Sequence, residues 1–118
     1  MTRRFVTFKR WDLVSVPFPF IEGHDSKRRP ALVVSTESFH AAHKSCFAAI
    51  VTTARGMQDL RPDDIAIADW AKTGLPAPCV IRLARLATFE TSSIRRIGSL
   101  AVRERNAVAA LLKRWLAA

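Results

Sequence analysis

Apolar and polar positions alternate in short blocks along most of the chain and change period from Ala101 onward. Leu13-Val-Ser-Val16 predicts a short strand, closed by Pro17-Phe18-Pro19-Phe20, where each proline removes a ladder donor. The polar stretch Glu22 to Arg29 carries Gly23 and Asp25-Ser26 and reads as a loop. Pro30 to Ser35 and Ser45 to Thr53 are apolar runs of strand length, a pattern expected of strands buried on both faces. Between them, Thr36 to Lys44 predicts a short helical turn. Asp64 to Asp69 alternates and predicts a half-buried strand, and Trp70-Ala-Lys-Thr-Gly74 fits one helical turn with a C-cap glycine. Cys79-Val-Ile-Arg-Leu83 and Leu86-Ala-Thr-Phe-Glu90 predict two further strands, with Arg82 and Arg85 near their junction. From Ala101 onward Val108, Leu111, Leu112 and Trp115 form an apolar stripe on one helical face, with Arg103, Arg105, Lys113 and Arg114 largely off it. Short strands followed by one terminal helix predict a mainly β fold: a small, strongly bent barrel sealed by a helix.

Length and composition narrow the class. The 118 residues fit one domain spanning 1–118, and 49% hydrophobic with 25% charged residues excludes general disorder. No run free of charge is long enough to cross a bilayer, and the basic start lacks the apolar core of a secretory signal. Cys46 and Cys79 stand alone, without metal-ligand spacing, and read as reduced core residues of a cytoplasmic protein. The charge is uneven: 19 Lys and Arg against 10 Asp and Glu give +9. A domain this basic points to an anionic partner, with nucleic acid the first candidate.

Candidate chemistry gathers at Lys27-Arg28-Arg29-Pro30. Proline stiffens this junction, and the apolar run behind it anchors Arg29; a planar, always-charged guanidinium can bind two phosphate oxygens at once. A basic turn that merely solvates the loop has the same composition. Thr52-Thr53 closes the next apolar run, followed by Arg55, and hydroxyls there can donate to a phosphate oxygen; threonine is also an ordinary strand residue. His24 precedes the arginines and could serve as a base near neutral pH. His40 and His43 read as solvated or partly packed. Acidic residues are dispersed, no glycine-rich phosphate loop is present, and neither a metal nor a cofactor is expected.

Trp11-Asp-Leu-Val-Ser-Val-Pro-Phe-Pro-Phe, Ser26-Lys-Arg-Arg-Pro-Ala-Leu-Val-Val-Ser and Ile50-Val-Thr-Thr-Ala together resemble the MazF/PemK growth-inhibitor toxins. Asp64-Ile-Ala-Ile, Gly74-Leu-Pro-Ala-Pro-Cys-Val-Ile-Arg and Ile97-Gly-Ser-Leu follow in family order. The resemblance implies a compact SH3-like barrel of the MazF/PemK/CcdB kind with a C-terminal helix. It also implies a homodimer that cleaves single-stranded RNA sequence-selectively, held inactive by a cognate antitoxin with an acidic, flexible tail. Carried over by residue, the family's arginine falls on Arg29 and its threonine on Thr52, with Thr53 as a register alternative. Trp11 stands where the family commonly has glycine, Cys79 replaces a frequent serine, and Arg85 a frequent lysine.

This pair suits a metal-independent reaction in which the RNA 2′-OH attacks the adjacent phosphorus, giving a 2′,3′-cyclic phosphate. Arg29 would stabilise added negative charge and Thr52 would donate to the same oxygens, while Lys27, Arg28, Arg55, Arg82 and Arg85 would guide the backbone. Phe18, Phe20 and Trp70 are the rings available for stacking, or for the core. The competing expectation is a non-catalytic module on the same barrel that binds nucleic acid or a topoisomerase.

Overall fold

The computed structural model describes residues 8–18, 27–53 and 60–117. Among the described residues six strands are formed: β1 (Asp12–Phe18), β2 (Lys27–Val33), β3 (Ser45–Thr53), β4 (Asp64–Ala66), β5 (Cys79–Glu90) and β6 (Arg95–Ser99). The described residues also form helices α1 (Glu37–His43) and α2 (Val102–Leu116) and short 3₁₀ turns at Trp70–Thr73 and Thr91–Ser93. All strand pairs are antiparallel, in the order β4-β5-β3-β2-β1-β6. The mainly β architecture is as expected. The sheet curls without closing, because β4 and β6 at its edges are not paired with each other.

Alternation along the central strands divides the core between two faces of this sheet. Leu13, Leu32, Ala49, Val51, Ile81 and Leu83 pack with Val108 and Leu112 of α2 on one face. Val14, Val16, Ala31, Val33, Cys46 and Ala48 pack with Phe8 and Ile94 on the other. Burial on both sides explains why these strands are almost continuously apolar. The two prolines within the described strands, Pro17 and Pro30, sit where one flank of the strand is open. Pro30 lies outside the Ala31–Val33 segment that pairs with β3, and Pro17 lies beyond Ser15, the last β1 residue paired with β6. A missing N–H is tolerated there.

The 3₁₀ turn at Trp70–Thr73 lies against β6. Gly74 ends the turn at φ +91°. Any Cβ on Gly98 would collide with the Thr73 carbonyl, so glycine is required at that crossing. Trp11 takes φ +78° in the turn leading into β1, a conformation that favours glycine. Its ring packs against the core, and the Arg10 guanidinium lies 4.3 Å from the ring centroid.

Several elements differ from the sequence expectations. Lys27 to Arg29 belong to β2 rather than a loop. The two strands expected between Cys79 and Glu90 are one, interrupted where Ile50 pairs with Arg82 but Ala49 with Leu86, so that Leu83, Ala84 and Arg85 bulge out. β6 was not expected, since Arg95-Arg-Ile-Gly-Ser99 shows neither strand composition nor a clean alternation. On α2, Val108 and Leu112 are buried, but Trp115 is 40% exposed. None of the described helices is long and apolar enough to cross a membrane.

Candidate active site

The antiparallel register brings the singled-out residues together. Ala31 lies opposite Ile50, which lies opposite Arg82, forming one row across β2, β3 and β5. Two residues beyond this last β2–β3 pair, Arg29 and Thr52 both line one cleft. Their alternation parity matches Ala31 and Ala48, so they occupy the face opposite α2. The result is a cleft of about 480 Å³ lined by Arg29, Ile50, Thr52, Arg82, Arg85, Leu86 and Ala87. Thr53 faces the other way, is exposed, and does not line the cleft.

Each arginine reaches the cleft by a different device. Arg29 is exposed at the open end of β2, with its backbone held by pairing to Val16 and by buried Ala31 two residues on. Arg85 comes from the β5 bulge, a distortion that re-aims side chains. Arg82 is clamped: its Nε donates to Asp64 Oδ1 at 3.2 Å and its Nη2 to Asp64 Oδ2 at 2.9 Å. Asp64 Oδ2 also accepts the Arg61 N–H at 2.9 Å. Burial by itself would raise the Asp64 carboxyl. The Arg82 hydrogen bonds, the Arg61 N–H and the two neighbouring positive charges outweigh it and hold the group below its ordinary value. Among the described residues the ion pairs engage only Arg82 and Arg96, so Asp64 does not neutralise Arg29 or Arg85.

Other candidates lie elsewhere. Arg28 has the opposite parity to Arg29. Its Nε donates to Ser15 Oγ at 2.7 Å and its Nη2 to the carbonyls of Ser15 and Ser93 at 2.7 and 2.9 Å, which ties β1 and β2 to the Ser93 turn. Lys27 begins β2, paired with Phe18. His24, Arg55 and Phe20 lie outside the described residues. Trp70 packs against the core on the α2 side of the sheet.

His40 is buried, and its hydrogen bonds fix its tautomer. Nδ1–H donates to the Phe8 carbonyl at 2.9 Å, Ser35 Oγ–H donates to Nε2 at 2.6 Å, and Ser35 Oγ accepts the Phe47 N–H at 2.9 Å. This chain ties α1 to β3 and the N-terminal segment, away from the cleft. Cys46 and Cys79 are free and buried; burial pushes the Cys46 thiol up to about 11 and raises Cys79 as well. No cluster of three or more potential metal ligands occurs among the described residues. Asp64 is the cleft-supporting residue that the sequence reading missed. It sat among dispersed acids, and only the β4–β5 pairing shows it opposite Arg82.

Residues 9–116 match the family described as PemK-like, MazF-like toxins of type II toxin–antitoxin systems. The chain belongs to this family. No curated protein matched it. Among solved structures, a MazE–MazF complex from Deinococcus radiodurans superposes with a TM-score of 0.73 at 20% identity, covering 95% of this chain and 98% of that one. MazF alone from the same organism also gives 0.73 at 20% identity, with 97% and 100% covered. An endoribonuclease in complex with its cognate antitoxin, from a mycobacterial species, gives 0.71 at 15% identity, with 96% of each chain covered. The fold of this PemK/MazF family member is therefore that of MazF toxins over nearly the whole chain.

Proposed function

We propose that this PemK/MazF family member is a toxin that cleaves single-stranded RNA in the Arg29–Thr52 cleft. The observation that supports this most is the convergence of Arg29, Arg82 and Arg85 with the Thr52 hydroxyl around one cleft. RNA carries its own nucleophile. The 2′-oxygen attacks the adjacent phosphorus and loses its proton, the bond from phosphorus to the 5′-oxygen breaks, and that oxygen gains a proton. The products are a 2′,3′-cyclic phosphate and a 5′-hydroxyl.

The protein's part is to hold the attack in line and to stabilise the extra charge on the non-bridging oxygens. Arg29 does so with a bidentate contact, and Thr52 donates a hydrogen bond to the same group. With a pKa above about 12, a guanidinium is suited to electrostatic stabilisation rather than proton transfer. Arg82, pinned by Asp64, and Arg85 steer the flanking phosphates. DNA lacks the 2′-OH and is not cleaved by this route.

Partners follow from the same charge. An antitoxin with an acidic, flexible tail competes with RNA for the cleft, in keeping with the antitoxin-bound mycobacterial endoribonuclease of like fold. The toxin is a homodimer in this proposal, which sedimentation tests by a mass near twice 13.2 kDa. The decisive experiment incubates the purified protein with long single-stranded RNA and excess chelator. Cleavage with cyclic-phosphate ends is expected, and Arg29→Ala should lower it by about 10²–10³-fold. Binding without any product would instead favour the non-catalytic module.

A further inference from the structure

A second basic concavity lies where β1, β6 and the start of α2 meet. It measures about 310 Å³ and is lined by Lys9, Arg10, Asp12, Arg96, Ser99 and Arg105. Four cations thus surround one carboxylate, which is already committed. Asp12 is buried; its Oδ2 accepts the Lys9 N–H at 2.9 Å, and its Oδ1 lies 3.4 Å from Arg96 Nε. The other guanidiniums are also held through Nε. Arg105 Nε donates to the Leu100 carbonyl at 2.6 Å, and Arg10 Nε to the Val34 carbonyl at 3.1 Å. Arg96 Nη2 donates to Ser99 Oγ at 3.0 Å. Tethering through Nε orders each fork in advance and leaves Nη donors for a ligand.

We infer that this concavity is a phosphate-binding subsite, separate from the Arg29–Thr52 cleft, that takes a backbone phosphodiester of the same RNA strand. Three forks on different elements suit a tetrahedral anion better than a flat carboxylate, whose two oxygens match a single fork. An apolar groove of about 390 Å³ shares Leu86 with the cleft and Arg10 with the basic concavity, and is otherwise lined by Val34, Phe47, Leu112 and neighbouring α2 residues. Phe47 is 42% exposed in this groove, with its ring stacked on Phe39 at 4.4 Å between centroids. The choice of RNA as the phosphate's source rests on the proposed function; the capacity to bind phosphate does not.

The test uses Arg96→Gln/Arg105→Gln, outside the cleft, with Arg96→Lys/Arg105→Lys as a variant that keeps the charge but loses the forks. Inorganic phosphate is titrated first, read by the NMR shift of the Trp11 indole N–H beneath Arg10. A saturable shift is expected in the native protein, absent in the Gln pair and weakened in the Lys pair. No shift in the native protein overturns the subsite, as does an equal shift in a Gln pair whose spectrum shows it folded.

Uncleavable 2′-deoxy oligonucleotides of roughly 4 and 16 nucleotides then test the source of the phosphate. In the Gln pair, affinity for the long strand should fall on the order of tenfold, and its salt slope by about 0.7 per lost contact. Affinity for the short strand should not change. Equal losses at both lengths, or no loss at either, overturn the RNA assignment. So does displacement of the phosphate signal by polyglutamate but not by the long strand, which would mark a protein-binding surface. If the native protein cleaves no RNA while the length effect persists, the ribonuclease proposal fails and the subsite stands.

Discussion

Replacing Asp64 by Asn removes a charge and leaves almost the same shape. The side chain can still accept the Arg61 N–H, so the substitution isolates the two-bond clamp on Arg82. Side-chain exposure is 3% for Asp64 and 15% for Arg82. Breaking a fully buried pair costs about 3–5 kcal/mol, and an exposed pair is worth about 0–1 kcal/mol. Arg82 borders an open cleft and can recover water on that side, which places the expected loss at about 2 kcal/mol. For a chain of this length that lowers Tm by roughly 8 °C, taking about 4 °C per kcal/mol.

The pH dependence gives a second check. The folded Asp64 titrates below its unfolded value near 3.9, so its stabilisation is complete above that value and fades as pH falls through the folded one. The gap between native protein and variant should therefore be constant near neutrality and close below about pH 4. Urea denaturation at neutral pH and at several acidic points measures both. A neutral-pH difference under about 0.5 kcal/mol, or a gap that persists through acid, would refute the assignment of a stabilising ion pair.

Four further outcomes are expected. Thr52→Val keeps the strand shape and removes the hydroxyl; it should slow cleavage by about 10–100-fold with little change in Tm, whereas Thr53→Val should leave the rate unchanged. Gly98→Ala should destabilise by about 3 kcal/mol or more in denaturant melts, because the obstacle is the Thr73 backbone and not a movable side chain. Trp11→Gly should be more stable than Trp11→Ala by about 1 kcal/mol, since both lose the ring but only alanine retains the penalty of positive φ. The Cys46 thiol should react with a thiol reagent at mildly alkaline pH only as fast as the protein opens, so labelling should accelerate with urea and not with a further unit of pH.

Local pattern carried most of the central strands and both helices into view, because burial on two faces leaves an unbroken apolar run and a helix leaves a stripe. Gly74 also marked the end of its turn correctly. Arg29 stood out because an apolar run anchors it, and Thr52 because it ends the neighbouring run. That both line one cleft depends on the β2–β3 register, which no local pattern encodes. Non-local pairing hid more. Asp64 matters through Arg82, 18 residues away in sequence; β6 is a strand because β1 offers it an edge; and Arg28 faces away from Arg29 because the segment is extended rather than looped.

The bulge in β5 also limits how the chain length can vary there. Leu83, Ala84 and Arg85 make an excess of three residues over β3, and three is odd. Ile81 and Leu86, five apart, therefore share a face through their partners Val51 and Ala49, which an uninterrupted strand would forbid. Losing or gaining one residue in this interval would exchange the faces of everything on one side of it, turning Leu86 from the helix side and Ala87 toward it. A change of two residues would preserve the faces. Insertions and deletions between Leu83 and Arg85 should be tolerated in even numbers and rejected in odd ones.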